Sequence, residues 1–234
     1  MTLPEIMENY RRMVITGLSS AKTPGDFARL LTRLYADFAQ QQESVKATHN
    51  INIVCKAGCF YCCYIKVDAR AHEVIFLIEH IQRALSKEQI DALISRCNEH
   101  RKRILPQSLE QQMTTNHPCP MLVEGKCSVY QGRPFSCRNY HAQRLEPCIY
   151  GYENPTDSTT ENSTKHKALM SVGAAAWVGT SMAYAEAGYD DRTYDLGLAL
   201  YEGLTNPKCV RRWRDKKSAF SNECIAKDCQ SVPR

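Results

Sequence analysis

The sequence lacks the motifs of several large enzyme classes. It has no glycine-rich phosphate loop, no His-Glu-x-x-His helix and no Gly-x-Ser-x-Gly nucleophile elbow. The chain also has no large excess of positive or negative charge. Its formal net charge is only +5, and no block of five basic residues occurs. The locally basic stretch around Arg211 is typical of a solvated helix face. We therefore expect no nucleic-acid partner.

Signals for membrane insertion and secretion are weak as well. The one long uncharged stretch, residues 168–185, contains six alanines, two glycines and a single leucine, so its transfer into lipid would gain little free energy. We predict a buried helix there and no membrane partner. The first twelve residues lack a basic start followed by an apolar run. We therefore expect a cytoplasmic protein with reduced cysteines.

Cysteine, by contrast, is abundant. A chain of 234 residues can bury a hydrophobic core without cross-links, so its twelve cysteines need another explanation. A disulfide framework, a redox relay and metal binding are the three alternatives, and a reducing compartment favours metal. Eight cysteines form two sets, four within nine residues and four further along the chain. These predicted metal ligands are Cys55, Cys59, Cys62, Cys63, Cys119, Cys127, Cys137 and Cys148.

The spacing within the first set fits metal ligation. Cys59 and Cys62 have the two-residue gap that brings two sulfurs to one ion, and Gly58 allows backbone N–H groups to point at sulfur. The adjacent Cys62 and Cys63 diverge, so they either serve different metals or one supports the other. Eight thiols suffice for two closed zinc sites or for one or two iron–sulfur clusters. The irregular gaps between Cys119 and Cys148 favour iron.

Other side chains near the cysteines receive structural assignments. His117 and His141 flank the second set and could replace a thiol, but a loop histidine more often makes hydrogen bonds. Arg133 and Arg138 are expected to donate to backbone carbonyls or toward sulfur rather than to bind substrate. Cys97 lies on the apolar face of a predicted helix and is assigned to the core.

The three cysteines nearest the C-terminus have no fourth partner close in sequence, so they are left out of the predicted site: Cys209, Cys224 and Cys229.

Hydrophobic periodicity predicts an all-α fold, a helical bundle with an irregular cysteine-rich metal-binding segment inserted between N-terminal and C-terminal helices. We treat residues 1–234 as one domain, with N-terminal helices in 1–49, a metal-binding region with two helices in 50–150 and C-terminal helices in 165–234. Between residues 106 and 165 the helical period disappears. Helices are predicted over 4–20, 25–46 and 165–185, after an N-cap at Asp68, after a capping box at Ser86–Gln89, from Asp190–Asp191, and from Asn206–Pro207.

The cysteines and the residues between them resemble a known family. The second set reads Cys119-Pro-Met-Leu, Cys127-Ser-Val-Tyr, Arg133-Pro and Cys137-Arg, and with the first set it covers about residues 50–150. This pattern resembles the zinc- or iron-chelating cysteine-cluster family of the CxxCxxCC (YkgJ) type. One departure is that three residues, not two, separate Cys55 from Cys59.

The resemblance implies an intracellular metal-binding protein. A related cysteine cluster occurs in flagellin lysine methylases, so a cluster-dependent protein-modifying or redox enzyme is the first alternative. A zinc-structured module that binds a protein partner is the second.

Overall fold

The computed structural model describes residues 2–157 and 165–227, and 64% of these residues are helical while 5% are in strands. The prediction of a mainly helical fold is therefore confirmed. The α-helices of the described residues are α1 Leu3–Ser20, α2 Pro24–His49, α3 Ala71–Ala84, α4 Lys87–Ile104, α5 Leu109–Met113, α6 Phe135–Asn139, α7 Glu146–Glu153, α8 Lys167–Glu186, α9 Leu196–Thr205 and α10 Lys208–Arg214. The strands form two antiparallel pairs, β1 Asp68–Arg70 with β4 Thr193–Asp195, and β2 Leu122–Val123 with β3 Lys126–Cys127.

Helix α8 packs closely against α1. A Cβ atom at Gly179 would lie 2.0 Å from the carbonyl oxygen of Met7, so only glycine permits this contact. The small residues Ala176, Gly179 and Ala183 of this helix are buried, and they allow the helix backbones to approach one another. Among the described residues, no helix is long and apolar enough to cross a membrane.

The core continues from these helices to the cysteine-rich region through one aromatic side chain. Phe135, the first residue of α6, is buried and packs edge-to-face on two rings of α2, with centroid distances of 4.9 Å to Tyr35 and 5.2 Å to Phe38. Burying three aromatic side chains together contributes strongly to packing. Helix α6, which also carries Cys137, is thereby fixed to the N-terminal helices.

Two predicted helix starts are wrong for the same reason. Asp68 is not an N-cap but part of β1, where it pairs with Asp195 of β4, and α3 begins only at Ala71. The helix predicted from Asp190–Asp191 begins instead at Leu196, because Thr193–Asp195 forms the partner strand. The Asp195 side chain accepts a hydrogen bond from the Leu198 N–H at 3.0 Å and caps α9.

The segment from residue 106 to 165 is also more regular than predicted. It contains α5, α6 and α7, which have five, five and eight residues and are too short to show a helical period. The capping box at Ser86–Gln89 is confirmed, as is the burial of Cys97 in the core.

Candidate metal centre

The first cysteine loop follows α2 and lies against a downstream segment. The N–H of Val54 donates to the carbonyl of Ala142 at 2.9 Å, and the N–H of Ala142 lies 3.1 Å from the sulfur of Cys55. Gly58 has φ = +92°, a conformation that favours glycine, as its place in the loop predicted. A backbone N–H directed at sulfur is the arrangement expected around a thiolate.

Backbone hydrogen bonds join the two cysteine sets directly. The Cys119 N–H donates to the Cys63 carbonyl at 2.7 Å, and the His117 N–H donates to the Tyr64 carbonyl at 3.2 Å. Both acceptors lie in a short 3-10 turn, Tyr61–Tyr64, which also carries Cys62. Segments more than fifty residues apart in sequence are thereby held side by side.

Three further elements carry the remaining cysteines of the second set. The β2–β3 hairpin, with Gly125 at φ = +72°, carries Cys127, and α6 carries Cys137. Helix α7 carries Cys148, and its Tyr152 packs edge-to-face on Tyr64 with ring centroids 4.8 Å apart.

Cys62 acts electrostatically on thiols of both sets. Burial raises the pKa of four other thiols, and the charge of Cys62 raises each of them further: those of Cys55, Cys127, Cys137 and Cys148. The pKa of Cys62 itself is raised first by its contact with the Cys63 thiol and then by burial. Thiols from both sets thus lie within electrostatic reach of one another.

Cys119 and Cys59 are linked to the same group. The pKa of Cys119 is raised mainly by burial and next by the charge of Cys137. The charge of Cys59 contributes to the raised pKa of Cys55, in which burial is again the larger cause. All eight predicted ligands therefore belong to one region of the molecule, although they do not share a single point.

Arg133 supplies positive charge to this region. Its guanidinium lowers the pKa of four of the thiols, against the effect of burial: Cys55, Cys62, Cys127 and Cys137. Its Nε donates to the Tyr130 carbonyl at 3.0 Å, and the group lies 3.5 Å above the Tyr130 ring. Arg138 donates to the Arg133 carbonyl at 2.7 Å. As expected from the sequence, both arginines bond backbone carbonyls.

The two arginines have no acidic partner in the part of the chain that the structure describes. Neither guanidinium forms an ion pair with a carboxylate there, whereas other arginines, such as Arg192 and Arg212, do. Burial lowers the pKa of Arg138, which shows that its charge is held in a partly desolvated place. Tyr35, the Cys137 thiol and the Glu73 carboxylate act against burial and favour the charged form of Arg138.

The two flanking histidines differ in what their ring nitrogens contact. His141 uses both, since Nδ1 lies 2.9 Å from the Asn139 carbonyl and Nε2 accepts from the His166 N–H at 2.9 Å. Both ring nitrogens of His141 are therefore used in structural hydrogen bonds, as expected. The Nε2 of His117 is buried and has no hydrogen-bond partner. No local sequence pattern distinguishes these two histidines.

The thiols are close but not arranged as a finished coordination site. Among the described residues, no group of three or more His, Cys, Asp or Glu side chains could hold a metal ion in its present geometry. None of the eleven described cysteines forms a disulfide.

Two clefts reach the thiols from different sides. One, of about 270 Å³, is lined by Cys55 and Cys137 together with Arg133 and Arg138. The other, of about 250 Å³, is lined by Cys62 and Cys148 and by four tyrosine side chains: Tyr61, Tyr64, Tyr140 and Tyr152. The cysteine region is therefore accessible to small molecules.

The cysteines left out of the predicted site contact a carboxylate that sequence reasoning missed. The buried thiols of Cys209 and Cys224 lie 3.5 and 3.3 Å from the two carboxylate oxygens of Glu202. Arg212 pairs with the same carboxylate at 2.9 Å. Glu202 lies within a helical period and gave no sequence signal. Cys229 lies outside the described residues.

The chain matches no family model, no curated protein and no solved structure. The resemblance of its cysteine pattern to the CxxCxxCC family stays a prediction from the sequence.

Proposed function

We propose that this protein binds iron or zinc through the eight cysteines of its central region, with an iron–sulfur cluster as the preferred form. One observation carries the proposal: thiols from two distant segments gather around Cys62, with the Arg133 guanidinium among them. A free cysteine can pack as a small hydrophobic residue without other thiols or a guanidinium group beside it.

The charges support ligation by thiolates. A site of four thiolates on one divalent ion has a net charge of −2, which two nearby guanidinium groups would offset. Arg133 and Arg138 supply these two groups and have no carboxylate partner among the described residues.

Binding an ion would require the sulfurs to turn toward a common point. Rotation about a single side-chain bond moves a cysteine sulfur while the backbone stays in place, and the backbone here is already held by the Cys63–Cys119 hydrogen bond. Metal binding would add free energy to a region that has little core of its own. In this proposal, the region between the N-terminal and C-terminal helices is a metal-binding insertion, and the protein works in a reducing compartment such as the cytoplasm.

A redox or protein-modifying enzyme is the second candidate. The two clefts favour it, because they would give a substrate access to a metal held by Cys62 and Cys148 or by Cys55 and Cys137. A closed structural site needs no such access.

The proposal is tested by a matched pair of cysteine variants. Cys62→Ser removes the central thiol, whereas Cys97→Ala removes a buried thiol of the core. After anaerobic purification, we expect the Cys97→Ala protein to hold as much iron or zinc as the wild type and the Cys62→Ser protein to have lost most of it. Equal metal content in both variants, with helical circular dichroism retained, would contradict the assignment of Cys62.

A further inference from the structure

A small cavity beside Cys119 is lined by apolar residues and by several polar side chains. It has a volume of about 20 Å³, and its lining comes from the cysteine region, α4, α5 and the start of α9. The polar side chains that line it are Lys66, His100, Gln112, His117 and Asp195, and the Cys119 thiol lines it as well.

One wall of this cavity is a buried histidine–aspartate pair. The Nε2 atom of His100 lies 3.3 Å from Oδ1 of Asp195, and the two residues are only 9% and 4% exposed. An ionised carboxylate can only accept, so Nε2 carries a proton and donates to Asp195. Nδ1 of His100 is buried and has no hydrogen-bond partner.

His100 also packs tightly against α9. Gly197 follows the helix start, and a Cβ there would lie 2.3 Å from Cδ2 of His100. The imidazole is therefore held from two sides, by the Asp195 carboxylate and by the backbone of α9. It has little freedom to turn its unpaired nitrogen toward another protein group.

The lining of the cavity includes a second histidine with an unpaired nitrogen. His117 is fixed by its backbone hydrogen bond to Tyr64, and its Nε2 is buried without a partner. A buried polar atom without a partner is costly in free energy, so two of them beside one cavity require an explanation.

We infer that one water molecule occupies this cavity and joins His100 Nδ1 to His117 Nε2. A site needs roughly 10–15 Å³ and two to four polar partners to hold a single water, and this cavity satisfies both conditions. The water forms one hydrogen bond with Nδ1 of His100 and a second with Nε2 of His117. Its remaining hydrogen-bonding capacity faces Gln112 and the Cys119 thiol.

Water fits the site better than a metal ion does. The Lys66 side chain lines the same cavity, and its ammonium group, paired with Asp68, would repel a cation.

The bridge ties the cysteine region to α4 and α9. His117 is two residues before Cys119, so the water connects this predicted ligand to the rigid His100–Asp195 pair. His117 is thus a positioning residue for Cys119, a role that rests on the proposed metal binding. The water site itself does not, and it should be present with or without metal.

Crystal structures of the wild type, His117→Gln and His117→Leu test the water site. We expect one solvent peak within about 2.6–3.2 Å of both histidine nitrogens in the wild type, retained in His117→Gln, whose amide replaces the imidazole, and absent from His117→Leu. An empty cavity, a peak with anomalous scattering, or direct contact between the histidines would overturn the inference.

The rate of metal dissociation tests separately whether His117 positions Cys119. If the wild type holds metal, the metal should dissociate several-fold faster from His117→Leu than from the wild type when a chelator is added, and His117→Gln should restore the slower rate. Unchanged dissociation alongside an ordered water would overturn the positioning role alone. A wild type that holds no metal would defeat the proposed function and leave the water site standing.

Discussion

Replacing Glu73 by alanine should destabilise both the fold and the helix that carries Cys137. The Glu73 side chain is 1% exposed and accepts hydrogen bonds from two backbone N–H groups, that of Arg70 at 2.9 Å and that of Phe135 at 2.7 Å. The first bond caps α3 and the second caps α6. One carboxylate therefore fixes the start of two helices.

The size of the effect follows from these two bonds. Alanine would leave the buried Phe135 N–H and the half-buried Arg70 N–H without an acceptor. A fully buried group of this kind costs about 1–3 kcal/mol, so the loss of both bonds costs at most about 2–6 kcal/mol. Burial raises the pKa of Glu73, which means that keeping the ionised carboxylate buried costs free energy. Alanine removes this cost, so we expect a loss of stability in the lower half of the range. Glutamine keeps one acceptor oxygen, so Glu73→Gln should lose about half as much.

Urea unfolding of matched variants measures this difference. Glu79 lies on the same helix and is half-buried, and no side-chain hydrogen bond of its carboxylate is seen among the described residues, so Glu79→Ala should cost less than about 0.5 kcal/mol. Midpoints should fall in the order wild type and Glu79→Ala, then Glu73→Gln, then Glu73→Ala. Indistinguishable midpoints for the two alanine variants would refute the double-cap argument.

Two further predictions concern packing and pH. Gly179→Ala should lower stability by about 1–3 kcal/mol, because the new Cβ would meet the Met7 carbonyl at 2.0 Å. Gly173→Ala on the same helix meets only the movable Asn139 side chain, so thermal unfolding should show a smaller loss or none. Asp190 accepts several hydrogen bonds, which hold its pKa below the usual 3.8 although burial would raise it. Its contribution is full above the unfolded pKa and is lost as the pH falls through the lower folded value. Urea midpoints should therefore drop between about pH 5 and pH 2 in the wild type and drop less in Asp190→Asn.

Much of the helical framework was predictable from local signals. The apolar period of α2, the capping box of α4 and the small-residue stripe of α8 each depend on residues within one helix. The β1–β4 pair was not predictable, because each strand has three residues and the partners are more than a hundred residues apart. That pairing displaced two predicted helix starts, and the caps moved from the expected aspartates to Glu73 and Asp195.

The same distinction holds for the candidate site: some of its features can be read from local sequence, whereas others depend on tertiary contacts. Clustered cysteines and a positive-φ glycine are visible in the sequence, and so is the nearness of Arg133 to the second set. Which histidine keeps an unused nitrogen depends on tertiary hydrogen bonds, as His141 and His117 illustrate. The role of Glu73 as a double cap depends on α6 lying at the start of α3, which no local pattern indicates.

The metal content and visible absorption spectrum of the anaerobically purified wild type test the central claim most directly. We expect at least one iron or zinc ion per folded chain and, for the preferred iron–sulfur form, broad visible absorption together with acid-labile sulfide. A colourless chain that is free of iron and zinc, yet has the helical circular dichroism and cooperative unfolding of a native protein, would contradict the account.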